Sequence, residues 1–392
     1  MTGMIGPSSV RVLDVHAGYR CRHSGACCTA GWDIVAEPQT VAAVRTTPAL
    51  GNLRTQGLRA GAAPDGESVP LLARRQNGHC RFYEPAAAGS CAIQREAGHA
   101  ALPLACRQFP RVTLRDDRAT FVTLSHYCPT AAAQLFDAGR TLAMVDAPDG
   151  FPADGEYVGL DARDALPPLL RPTALHSHDS YDAWLEFVLE AFDTSASPDG
   201  ALARVEHAAE DLRNWTVAAG DLEVFTGVVL GRHEASATIP AAKVDLASSN
   251  AWWSLAVDAV PPGIVEPPTP GGSLRWTAAC EAAWLDASRP ICRYLGTHAF
   301  ANWAAYQGRG IRTEVRRLRV ALEVVRLEVA RRAALDGRPD GRAVVEPAIR
   351  SADLLLHHLV DPVRLARALD ALERLPLTPQ GPARDQPPLR LQ

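Results

Sequence analysis

Seven of the nine cysteines lie within the first 128 of 392 residues: Cys21, Cys27, Cys28, Cys80, Cys91, Cys106 and Cys128. Thiols gathered in this way, in a compartment that keeps them reduced, point to metal ligation or redox chemistry. Cys27 and Cys28 are adjacent and follow Gly25 and Ala26, so the backbone there turns without bulky side chains. Adjacent cysteine side chains diverge. The pair therefore suits two irons of a cluster, or one ligand beside one packing residue, better than a single small ion. The later cysteines form neither the paired CxxC units of a zinc finger nor a ferredoxin run. Their spacing predicts one site assembled from distant segments, with all seven as candidate metal ligands. Burial as small hydrophobes is the competing reading for any one of them. A vicinal redox pair at Cys27 and Cys28 is another. His23, His79, His99 and His126 lie near the cysteines, and His126 is the foremost because it precedes Cys128 by two residues. Cys280 and Cys292 fall on helix faces and read as packing residues.

The elements that must position these thiols are short. An extended entry around Val12 and Leu13 runs into the first cysteines. A helix is expected over 37–60, opened by Pro38, and a loop over 61–69. Cys80–Tyr83 and Ser90–Ile93 read as extended pieces, and 94–101 as a short helix. Alternation over Arg111–Arg115 and 119–125 around Asp116 and Asp117 predicts a hairpin that delivers His126, Tyr127 and Cys128. Residues 130–140 are expected to be helical. Downstream, a helix capped by Asp179 or Ser180 carries Trp184, Phe187, Val188 and Phe192 on one side. Further helices are expected over 200–217, 274–287, 290–307 and 311–334, and one starts at Asp361-Pro362. The 311–334 helix repeats Ile311, Val315, Leu318, Leu322, Val325 and Val329, and its arginines and glutamates read as a solvated face.

Composition bounds the function classes. Formal net charge is -4, so no global charge calls for nucleic acid or an acidic membrane. Lys243 is the only lysine, and a coding bias toward arginine and alanine explains that. The first dozen residues carry no secretory pattern, and no apolar run is long enough to span a bilayer. A cytoplasmic protein is the expectation. The fold expected is helix-dominated α+β: a cysteine-rich, metal-binding unit with short strands over 1–145, then a larger helical unit over 146–377. The latter contains a Pro/Gly-rich loop at 261–272, and 378–392 form a disordered tail.

Several segments carry a resemblance: Tyr19-Arg20-Cys21, Cys27-Cys28 with Gly31-Trp32, Cys80-Arg81-Phe82, Cys91-Ala92-Ile93-Gln94, Cys106-Arg107-Gln108-Phe109-Pro110-Arg111 and Thr123-Leu124-Ser125-His126-Tyr127-Cys128-Pro129. Together they resemble the bacterial cysteine-cluster family of zinc- or iron-chelating proteins. They are most similar to its flagellin lysine-N-methylase branch, whose first cluster is longer. The resemblance spans about 120 residues, with a weaker echo from Arg293 to Tyr306. It implies an iron–sulfur cluster of the 4Fe–4S type and methyl transfer from S-adenosylmethionine to a protein lysine. The residues alone leave zinc open as the metal. They also leave open a non-catalytic chelating module and a thiol redox sensor. No glycine-rich nucleotide loop and no CxxxCxxC motif occurs. Trp32, Asp33, Tyr83 and Tyr127 are candidates to line a substrate site by proximity to the cysteines.

Overall fold

The computed structural model describes residues 9–62, 68–85, 90–149, 151, 157, 159–234, 244–262, 274–336, 340–372, 374 and 377. Most of the expected loop at 261–272 and all of the expected tail at 378–392 lie outside them. Helix accounts for 57% and strand for 12%, so the fold is helix-dominated α+β, with an N-terminal mixed sheet and a larger helical C-terminal body. Among the described residues no helix is long and apolar enough to cross a membrane.

The sheet has the strand order Met144–Asp146, Val10–Leu13, Thr120–Leu124, Arg111–Arg115, Leu160–Asp161. The expected hairpin is present, with Arg115 paired to Thr120 and Arg111 to Leu124. Its second strand also runs parallel to Val10–Leu13 and is buried along its whole length. Alternation then assigns the faces. Leu13, Leu114 and Phe121 join the helical core, while Val12, Val122 and Leu124 pack with Tyr19 and Cys128 on the other side. The central strand thus separates the helical body from the cysteine side and ends where the two meet.

The expected helix over 37–60 breaks into Pro38–Thr46, a 3-10 turn Pro48–Leu50 and a single turn Leu53–Gln56. Pro48 has no amide hydrogen to continue the ladder, and it pushes Thr47 into an extended conformation. At the ends of the expected loop at 61–69 strands stand instead, because Leu58–Ala62 and Ser68–Leu72 pair antiparallel; residues 63–67 lie outside the described residues. These pieces surround a separate small core of Ile34, Val44, Leu50, Leu72, Phe82, Ile93 and Leu102, to which Cys28 and Cys80 belong.

In the helical body, His178–Thr194 is capped by Ser177, not Asp179 or Ser180. The Ser177 and Ser180 side chains each accept the other's backbone amide, which closes a capping box. Asp361 caps Pro362–Asp370 as expected. The long helix Ile311–Asp336 packs against Pro198–Leu212, Leu246–Asp258, Ser288–Phe300 and Gly341–Asp353. Its charged face is not solvated. Arg316, Arg326, Glu323 and Glu328 are all buried. Arg319 pairs with Glu206 at 2.8 Å, and Arg326 with Asp199 and Glu323. Acidic partners on Pro198–Leu212 make that burial tolerable, and nothing in the long helix's own periodicity reveals them.

Arg293 ties the layers together. It is 1% exposed, and its guanidinium donates to the carbonyls of Leu135 (2.8 Å), Asp137 (2.5 Å) and Arg140. Arg293→Met keeps the packing volume but leaves these carbonyls without a donor. We expect a loss of about 3 kcal/mol, read as a lower urea midpoint with an unchanged slope. An unchanged midpoint would show that water replaces the guanidinium without cost.

Candidate metal centre

Four sulfurs gather around Cys28. It sits in the single turn Ala26–Thr29, directly after Gly25 at φ +74°. A Cβ on Gly25 would come within 2.4 Å of the Tyr83 ring, so only glycine allows this turn to close against Tyr83. The Cys28 Sγ lies 3.9 Å from that of Cys27, and the thiols of Cys80 and Cys91 are its other near neighbours. Backbone pairing fixes the set: the Cys80 amide donates to the Cys28 carbonyl at 2.8 Å, and Cys91 pairs with Tyr83 across a two-residue ladder. Cys106 stands beside them on Leu104–Gln108, whose Leu104 amide donates to the Glu37 carboxylate at 3.2 Å.

Cys21 and Cys128 form a second wall. Cys21 is exposed and its sulfur accepts from the His23 amide at 3.4 Å. Cys128 is buried, and its sulfur lies 3.8 Å from the Tyr19 hydroxyl. Both walls face one cavity of about 490 Å³, lined by six of the seven thiols: Cys21, Cys27, Cys28, Cys91, Cys106 and Cys128. Cys80 closes the set from behind, where it borders a smaller pocket with Cys27 and Cys28. The expectation of one site built from distant segments therefore agrees with the geometry. Cys280 and Cys292 are in the helical core, as packing residues.

Proton sharing among the thiols is uneven. The Cys28 thiol has one proton to donate, and its proximity favours the thiolate of whichever neighbour takes it, lowering Cys91 to about 7 and Cys27 and Cys80 below the ordinary thiol value. The same contacts, with burial, push Cys28 far up. Burial raises Cys106 too, and the nearby thiolates of Cys27, Cys80 and Cys91 add to that. A cationic metal reverses this order, because thiolates bind it and the protons leave.

Only Cys27 and Cys28, 3.9 Å apart, stand at the sulfur spacing of one small ion. In a zinc tetrahedron with bonds of about 2.3 Å the sulfurs stand roughly 3.8 Å apart. Among the described residues no three cysteine sulfurs lie within 4.8 Å of one another. Arg20, Arg22, Arg107 and Arg111 line the cavity, and no described carboxylate does. That wall offsets the negative charge of several thiolates.

Of the neighbouring histidines, His99 and His23 line the cavity, whereas His79 packs edge-on to Tyr83. His126 turns away from the thiols: its Nε2 lies 3.1 Å from Nε2 of His16. Asp33 is held by Arg59 and Arg74, and Trp32 stacks on His358 at 4.1 Å. Tyr127 bonds the Thr29 hydroxyl at 3.1 Å.

Behind this wall lies a buried polar layer that sequence reasoning missed. Asp353 is fully buried. Its Oδ1 lies 3.1 Å from Nε2 of His298 and 2.8 Å from Nδ1 of His357. Its Oδ2 accepts from the Ser125 hydroxyl at 2.6 Å and the Tyr127 amide at 3.2 Å. Ser125 Oγ also lies 2.6 Å from Nε2 of His358. The i, i+4 spacing of Asp353 and His357 on a helical segment was the legible signal. His298 and Ser125 arrive from elsewhere and leave none.

No protein-family model matches the chain, and no curated protein or solved structure does either. The resemblance drawn above thus stands on the quoted cysteine segments alone.

Proposed function

We propose that the chain is an iron–sulfur protein of the 4Fe–4S type that binds S-adenosylmethionine and methylates a protein lysine. The observation that carries the reading is the gathering of thiols from both walls on one arginine-lined cavity. Cys27, Cys28, Cys80 and Cys91, with Cys106 beside them, are the candidates to hold the cluster; three thiolates would ligate iron and leave the fourth iron without a protein ligand. When bound, the cluster supplies iron that can take the amino and carboxylate groups of the sulfonium cofactor. Arg20, Arg107 and Arg111 are placed to pair with that carboxylate in a cavity of ordinary cofactor size. The same positive wall disfavours an ammonium, and so favours the neutral amine that attacks a methyl group. The lysine-modifying step rests on the cysteine-segment resemblance, and a flagellin-like substrate is its further implication.

The deciding experiment is purification without oxygen, followed by metal analysis, acid-labile sulfide and the visible spectrum with and without S-adenosylmethionine. Iron with equimolar sulfide, and a spectrum that shifts on adding the cofactor, are expected. Stoichiometric zinc without sulfide would overturn the cluster. A cluster whose spectrum ignores the cofactor would leave a non-catalytic chelating module.

A further inference from the structure

A second constellation lies outside the thiol cavity. The Gly341–Asp353 helix passes into a π-helical segment, Leu354–Leu359, closed by a bond from the Val360 amide to the Leu355 carbonyl at 2.9 Å. Such wide turns cost helix regularity and recur at functional sites. Here the widening points His357 at Asp353 and His358 at Ser125. The partner histidine, His298, comes from Ser288–Phe300, so two helices converge on one carboxylate oxygen.

We propose that His298, Asp353 and His357 hold a divalent transition-metal ion, separate from the thiol site. Their three ligand atoms lie within 4.8 Å of one another, the only such trio of histidine, cysteine or carboxylate among the described residues. Metal bonds of about 2.0–2.2 Å to nitrogen and oxygen place ligand atoms roughly 3 Å apart at right angles. The contacts to Asp353 are 3.1 and 2.8 Å. Two imidazoles and a carboxylate suit the zinc-to-iron range of ions.

Two further features belong to a working site rather than to mere packing. The carboxylate is held from behind by the Ser125 hydroxyl and the Tyr127 amide, which fixes its free oxygen in place. His357 also lines a separate cavity of about 230 Å³, together with Arg317, Trp303 and Gly159. Of the three ligands only His357 borders that cavity, which is the side from which an exchangeable ligand would enter. Arg317 faces Asp353, so a dication there brings excess positive charge. The exchangeable ligand that restores balance is an anion, either hydroxide or a small carboxylate.

Cobalt(II), added without oxygen to the full chain, tests this. Thiolate-bound cobalt shows intense sulfur-to-metal bands; cobalt on imidazole and carboxylate does not. The wild type is expected to take one equivalent without those bands, with imidazole nitrogen couplings in pulsed paramagnetic resonance. His298→Gln and His357→Gln should each weaken that equivalent at least tenfold and keep the thiolate-bound cobalt. Cys91→Ser should do the reverse, which separates failure here from failure of the thiol reading. Absence of thiolate-free cobalt in the wild type overturns the proposal, as does its full retention in both histidine variants. Should a histidine variant lose both kinds of cobalt through misfolding, Cys91→Ser decides. One thiolate-free, imidazole-coupled equivalent there supports the site, and none overturns it.

Discussion

Cys28→Ser is expected to strip the protein of most of its thiolate-held metal. Cys28 touches Cys27, Cys80 and Cys91, and its carbonyl anchors the backbone of Cys80. Serine fits the space but offers a hydroxyl that does not ionise near neutrality. Iron and sulfide content should fall roughly tenfold or more, the scale on which metal sites respond to lost support. Cys21→Ser is the control: it is exposed and lies on the far wall, so it should keep most of the metal. Equal retention by the two variants would show that Cys28 is not the hub.

Acid is expected to unfold the metal-free chain by about pH 4, chiefly through its buried imidazoles. Burial lowers His126 to about 4, and His176, His298 and His358 to about 3. The unfolded chain takes up these protons near pH 6.5, and the folded chain does not. Stability is therefore present above pH 6.5 and falls as the pH drops toward 4 and then 3. Glu314 opposes this, since burial raises it to about 8 and the folded chain binds its proton first. His16 is lowered by burial as well, so five imidazoles less Glu314 leave a net difference of about four protons, roughly 5.5 kcal/mol per pH unit. Against a typical 5–15 kcal/mol, unfolding is expected at about pH 4–5.5. Tryptophan fluorescence and circular dichroism against pH check this. A native signal that persists at about pH 3.5 would show that the imidazoles protonate inside the fold.

Local patterns were legible where neighbours in sequence decide the outcome. The hairpin at 111–124 followed from alternation around Asp116-Asp117, and the Asp361 cap from its proline. The seven early thiols stood out by type, and six of them line one cavity. Where the backbone had a local veto the reading also failed locally. Pro48 ended a helix that apolar spacing alone would have continued. The charged face of Ile311–Asp336 was misread because periodicity marks which residues are apolar. It does not show whether acidic partners such as Asp199 and Glu206 wait across the interface.

By itself the sequence determined that seven of the nine thiols lie in the first third of a helix-dominated α+β chain, because residue type and short-range spacing are local properties. Only the tertiary structure decided which thiols meet. It set Cys28 against Cys27, Cys80 and Cys91, and brought Cys21 and Cys128 to the same cavity. It also drew His298, Asp353 and His357 from two helices onto one point. The reason is physical: contacts between residues far apart in the chain are chosen by packing of the whole core, and no local rule encodes them.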